Sequence, residues 1–343
     1  LAKQTVPGTA NLEAFIISFL TFAENNAGFA AAQQTFADPV DSRAVYWTSR
    51  TTNGLLTYWT FKHDTNAMTV YGDDRVEARM MSVEPTELNY NTSTVGQPFF
   101  TFMATWNLSP PFIEHIMYSD GNSVFLVLQV QSNLFAHLCF GNVQKVGDYT
   151  GGEFLQGNNF EKAGSITPWR PLVSGPHDSA TMIFGGRENR ATAGMDETGR
   201  NYIRNNISGA NDGEDYTPFG ASTVATVPNA QGTMPPNNSF GQVNLQQQNY
   251  GIGFFDKVQN TSPSLATQRA PLLPVYVYIS DLSNDQPQPA GHVPNITSVN
   301  IKDLSPKDVV NTDWDVYPLA AKFGDTDIFT VSENWGVAYR NIP

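Results

Sequence analysis

The run Phe135-Ala-His-Leu-Cys-Phe-Gly-Asn-Val-Gln-Lys-Val-Gly-Asp-Tyr-Thr-Gly-Gly-Glu-Phe154 decides how this chain is read. Its first half is a short apolar strand that closes at Gly141. Its second half gathers Gly147, Gly151 and Gly152 around Asp148 and Tyr149, so the backbone must turn sharply there. A strand, a turn and a bulge follow from that order of residues. Nothing in it is arranged for chemistry.

Upstream, apolar runs alternate with hairpin signals. Residues 112–118, 123–131 and 134–140 read as a meander whose connections are Asp120-Gly121-Asn122 and Ser132-Asn133. Its middle run, Val124-Phe-Leu-Val-Leu-Gln-Val130, is apolar on both faces, which predicts a central strand covered on both sides. Phe125, Val127, Leu128, Phe135, Leu138 and Phe140 are expected in one core. An earlier meander is predicted over 44–49, 55–62 and 67–71, with turns at Thr52-Asn53-Gly54 and Asp64-Thr65-Asn66. Ahead of both lies a helix. Asn11 stands where an N-cap belongs, Glu13 meets the positive end of the dipole, and Gly28 is the stop. Leu12, Phe15, Ile16, Phe19, Leu20 and Ala23 recur at helical spacing and form a stripe that packs on a sheet.

The expected fold class is therefore mainly β (α+β). An N-terminal amphipathic helix packs on an antiparallel β-meander in a domain over residues 1–155, and a second β-rich domain follows over 156–343. Strands of the second region are predicted at 272–280, 296–301, 314–323 and 334–340. Between them, residues 194–250 differ in character. No Asp, Glu, Lys or Arg occurs from Tyr216 to Phe255, and Pro235-Pro236-Asn237-Asn238 and Gln246-Gln247-Gln248 lie at the heart of that stretch. A long loop without periodicity is either disordered or functional, and disorder normally comes with high charge. The expectation is an extended arm or insertion that orders by lying against another subunit, with Tyr216, Phe219, Pro235, Pro236, Asn237, Gln246 and Tyr250 as contact residues.

Composition narrows the function classes. Charged residues make up 15% of the 343, against roughly 25% in ordinary soluble domains; a polar, weakly charged surface suits a protein covered by neighbouring subunits. A net charge of −13 with 19 scattered basic residues argues against a sequence-specific grip on nucleic acid. Cys139 is the only cysteine, so no disulfide framework and no thiolate metal site is expected, and its place in an apolar strand predicts a buried, inert thiol. The apolar stretch 12–23 is shorter than the ~20 residues of a membrane span and lacks the flanks of a secretory signal, so no membrane partner is expected. The numbering starts at Leu1, which leaves room for residues ahead of it.

Catalytic patterns are missing. His63, His115, His137, His177 and His292 never pair at metal-ligand spacing, no Ser lies in a G-x-S-x-G elbow, and Gly185-Gly186-Arg187 is no phosphate loop. The segment 211–215 lacks the alternating ligands of a calcium loop. Asp73 with Asp74, Glu84 with Glu87, and Asp325 with Asp327 are the carboxylate pairs that a wall-degrading enzyme would need. Trp47, Tyr58, Trp59 and Phe61 alternate along one meander and would stack on sugars only if their faces were open. No cofactor is expected.

Three stretches resemble one group of structural proteins from tailed-bacteriophage particles. The opening run is similar to an "HFGFG…K.G.YTGG" signature, carried here by His137, Phe140, Gly141, Lys145, Gly147, Tyr149, Gly151 and Gly152. Leu138-Cys139 departs from the usual glycine or small polar residues. The amphipathic helix resembles the group's N-terminal helix, and "DVYPLAAKF…NWGVAYR" resembles its C-terminal ending. The resemblance implies a virion component of the neck or tail, in which rings of identical subunits meet capsid connector, tail tube or baseplate, assembled in the host cytoplasm. It names no catalytic residue. The alternatives are a carbohydrate- or receptor-binding virion module and a wall-degrading virion enzyme.

Overall fold

The structure is a computed structural model that describes residues 1–9, 11–31, 33–38, 43–65, 74–90, 99–105, 111–132, 134–157, 160–161, 170–171, 202–205, 216–218, 220–222, 264, 266–281, 286–301, 303–318 and 335–341. In chain order these form β1 (Ala2–Thr9), α1 (Leu12–Ala27), β2 (Gln33–Ala37), β3 (Ala44–Thr52), β4 (Leu55–Thr65), β5 (Asp74–Met81), β6 (Phe99–Thr105) and β7 (Phe112–Ser119). Next come β8 (Ser123–Gln131), β9 (Leu134–Asn142), β10 (Gln144–Lys145), β11 (Gly151–Gly157), β12 (Phe160–Glu161), β13 (Arg170–Pro171) and β14 (Tyr202–Asn205). The last are β15 (Tyr216–Pro218), β16 (Gly220–Ser222), β17 (Leu272–Asp281), β18 (Gln286–Asn300), β19 (Val309–Val310), β20 (Trp314–Pro318) and β21 (Trp335–Arg340).

The chain is mainly β, and its N-terminal helix packs on an antiparallel meander as the pattern predicts. Asn11 Oδ1 accepts the amide of Ala14 at 2.8 Å, and Gly28 closes the helix at φ 64°. All strand pairs among the described residues are antiparallel. A central sheet runs β1-β7-β8-β9-β11-β14-β15, a five-stranded sheet runs β2-β3-β4-β5-β6, and a C-terminal sheet runs β16-β17-β18-β21-β20-β19 with β10 added against β18. A short ribbon pairs β12 with β13.

The period of two along β8 and β9 explains the layering. Val124, Leu126 and Leu128 face one side with Ala136, Leu138 and Phe140, and pack against α1 and against Tyr46, Trp59, Phe61, Val76, Ala78 and Met80 of the five-stranded sheet. Phe125, Val127, Phe135 and Cys139 face the other side and pack against Ala290, Val293, Ile296, Tyr317, Val337 and Tyr339 of the C-terminal sheet. The doubly covered strand is thus as expected. The six residues predicted in one core instead divide between two, because neighbours on a strand point to opposite faces: Leu128, Leu138 and Phe140 lie in one, Phe125, Val127 and Phe135 in the other.

Strand β11 spans position 155, and the chain beyond it returns to the central sheet through β14 and β15. From β14, Arg204 donates to the Leu56 carbonyl at 3.1 Å and to Thr57 Oγ1 at 3.0 Å. Of the turn predicted at Asp64-Thr65-Asn66, Asp64 and Thr65 instead remain in β4, paired with Arg75 and Asp74, and Asn66 lies outside the described residues. The strand predicted at 67–71 lies outside the described residues.

Candidate functional site: a corner joining two sheets

The signature run is a corner. Strand β9 belongs to the central sheet, but two residues later β10 pairs with β18 of the C-terminal sheet, Gln144 with His292 and Lys145 with Gly291. A turn follows, and β11 returns to lie beside β9. The amide of Val143 donates to the Gly152 carbonyl at 2.9 Å and that of Val146 to the Ala290 carbonyl at 3.0 Å, so the corner's backbone groups are spent on both sheets.

Each signature residue has a place in this joint. Phe140 is fully buried, with its ring centroid 5.3 Å from Phe19, 4.9 Å from Phe29, 5.6 Å from Trp59 and 5.4 Å from Phe61. At Gly141 a Cβ would stand 2.5 Å from Ser123 Cα and 2.6 Å from the Asn122 carbonyl oxygen, so only glycine lets β9 pass the head of β8. Lys145 donates to the Tyr149 carbonyl at 2.7 Å, and its Nζ lies 5.1 Å from that ring's centroid. Gly152, at φ +106°, lies against the Lys145 stem, 3.1 Å from where a Cβ would be built to Cδ. Gly147 sits in the exposed turn, and Gly151 begins β11.

His137 reaches across the layers. Its Nε2 lies 2.8 Å from the Pro318 carbonyl, which can only accept, so Nε2 carries the proton; Nδ1 then accepts from the Tyr339 hydroxyl at 2.7 Å. Burial lowers the imidazole to about 4, which keeps it neutral. Tyr339 stacks on Tyr118, 5.1 Å between centroids at 9°. The Tyr118 hydroxyl donates to Asp315 Oδ2 at 2.7 Å, and Tyr317 therefore donates to Tyr118 at 2.7 Å, since each phenol has one proton. Lys3 on β1 completes the group with its Nζ 2.6 Å from Asp315. Burial raises the Tyr118, Tyr317 and Tyr339 phenols, so they stay protonated donors.

Beside the corner is a half-open recess of about 440 Å³, whose lining includes Arg50, Asp120, Asn142, Lys145, Gly151 and Asn295. Arg50 donates twice to Asn122, to its carbonyl at 2.8 Å and to Oδ1 at 3.0 Å, and Asn295 donates to Asp120 at 3.2 Å. These bonds tie the recess walls together. Most of the lining residues have polar side chains, and nothing among them pairs a nucleophile with a base.

The other candidates do not assemble into chemistry. Ser18 Oγ lies 2.9 Å from His115 Nε2, but His115 is buried edge-on against Phe15 and lowered to about 4 by desolvation, so the contact fastens α1 to β7. Trp59 is fully buried and donates to the Phe154 carbonyl at 3.1 Å, while Trp47 packs edge-on to Tyr58 beside Met81 and Tyr90. Neither Trp offers an open face to a sugar. Glu84 and Glu87 are exposed on one loop; Asp73, Asp325, Asp327 and His177 lie outside the described residues. No group of three metal-ligating side chains occurs among the described residues, and no helix there is long and apolar enough to cross a membrane.

Of the expected arm, Tyr216 begins β15, paired with Arg204 of β14, and residues 220–222 form β16 on the C-terminal sheet. The arm's root is therefore held by the chain's own sheets. Phe219, Pro235, Pro236, Asn237, Gln246 and Tyr250 lie outside the described residues. Residue patterns missed the partners of His137, although Tyr339 stood in the noted ending; they also missed the Asp38–Lys62 pair, because Asp38 precedes Pro39 in a stretch of sequence without periodicity. No protein-family model and no curated protein matches this chain.

Proposed function

We propose that this chain is a non-enzymatic structural subunit of a tailed-bacteriophage particle, of the neck or tail, acting through repeated contacts with copies of itself and with connector, tube or baseplate proteins. The observation that supports this reading is the meeting of the three resembling stretches: His137 of the signature bonds Tyr339 of the ending, and Phe140 packs on Phe19 of the helix. The residues that carry the resemblance hold layers together. Such a design suits a protein whose product is its shape.

Quantitative mass spectrometry of purified particles from the virus that encodes it tests the reading. The chain should be present in fixed multiple copies per particle; its absence from infectious particles would overturn the proposal. A deletion that keeps β15 and β16 and joins Ser222 to Lys257 should fold as a monomer yet fail to enter particles. Normal incorporation of that variant would move the subunit contact away from the arm.

A further inference from the structure

We propose that Lys62 and Asp38 condense into an intramolecular isopeptide bond that staples the edge of the five-stranded sheet. Asp38 follows β2, the edge strand, and Lys62 lies on β4, two strands inward across β3. Lys62 Nζ stands 2.5 Å from Asp38 Oδ2, and the two side chains are only 6% and 1% exposed. Around them, Val45, Trp47, Tyr58, Met81 and Tyr90 form a separate apolar cluster, with Lys62 Nζ 6.0 Å from the centroid of the fully buried Tyr90 ring.

An ion pair in such a place is expensive, because both ions have left water. Moving one proton from the ammonium to the carboxylate removes both charges and leaves an amine beside a carboxylic acid, the two reactants of amide formation. Cγ lies one bond beyond Oδ2, which brings it to the edge of the ~3–3.5 Å near-attack range. The amine lone pair attacks Cγ, the C–N bond forms, and the C–O bond breaks. The hydroxyl leaves with the amine's second proton as water, so the pair loses one water and nothing is oxidised or reduced. The buried site then keeps water from reversing the step.

The full folded chain, purified and then denatured for intact-mass measurement, should weigh one water less than its sequence. A proteolytic digest should contain a branched peptide in which the fragment bearing Asp38 is joined to the fragment bearing Lys62. Lys62→Arg and Asp38→Ala should each restore the full mass. A wild-type chain at full sequence mass overturns the proposal, and so does a lost water that maps to a linear peptide, as a succinimide at Asp120-Gly121 would, or that persists in Lys62→Arg.

Discussion

The two faces of the central sheet are built on different terms. Toward α1 the contact is almost wholly apolar, a cluster of Phe19, Phe29, Trp59, Phe61 and Phe140 rings that meet at 4.9–6.3 Å. Toward the C-terminal sheet the apolar contact is threaded by His137, Tyr118, Tyr317, Tyr339 and Asp315, each hydrogen-bonded. Volume holds the first interface, and any side chain that fills it serves. Direction holds the second: a donor shifted by one residue meets no acceptor, so strands from distant parts of the chain are fixed in register. Packing supplies the stability, and the polar face supplies the uniqueness.

The largest test of this contrast removes volume. Phe140→Ala should cost about 3–5 kcal/mol, the range for emptying an aromatic core site, read as a lower denaturant midpoint at unchanged slope. A loss under 1 kcal/mol would mean the helix face is not the main store of stability.

Acid should act next. His137 titrates at about 4 in the fold against about 6.5 unfolded, so the unfolded chain takes the proton first. Stability is then full above about pH 6.5 and falls as pH drops toward 4, by up to about 3 kcal/mol. His115 shifts in the same direction on the helix face, so the fall should persist in His115→Gln if the polar face carries it.

A smaller effect separates hydrogen bonding from stacking. Tyr339→Phe keeps the ring against Tyr118 but leaves His137 Nδ1 without its donor, at an expected cost of about 1–3 kcal/mol. An unchanged midpoint would show that the bond adds nothing to the apolar contact. The smallest effect is at Cys139, 2% exposed on the polar face: a thiol reagent should label it only on unfolding, and labelling of the folded chain would show that the two sheets part.

Local signals explain which parts of this architecture could be read in advance. The cap at Asn11, the stop at Gly28 and the turn in which Asp120 Oδ1 accepts the amides of Asn122 at 2.8 Å and Ser123 at 2.7 Å are each written in a few adjacent residues. Strand β1 escaped because it has no alternation and carries Pro7, which an edge strand tolerates. Strand β18 was read only in its last third, at 296–301, and its earlier part escaped for a stronger reason: Pro287, Pro289 and Pro294 argue against a strand, yet it lies inside its sheet, paired with β17 through two register shifts. The corner's glycines were legible as a turn, but that they carry the chain from one sheet to another depends on β18, roughly 150 residues on. The same distance hid the site's polar partners.

That distance also sets a clock. The bond from His137 to Tyr339 spans 202 residues, so on a ribosome adding 5–20 residues per second β9 waits about 10–40 s for β21. Phe125, Val127 and Phe135 spend that interval without Val337 and Tyr339, which later help to bury them. The newborn chain is thus open to wrong partners on this face until β21 emerges, and deleting that strand alone would leave the face incompletely covered for good.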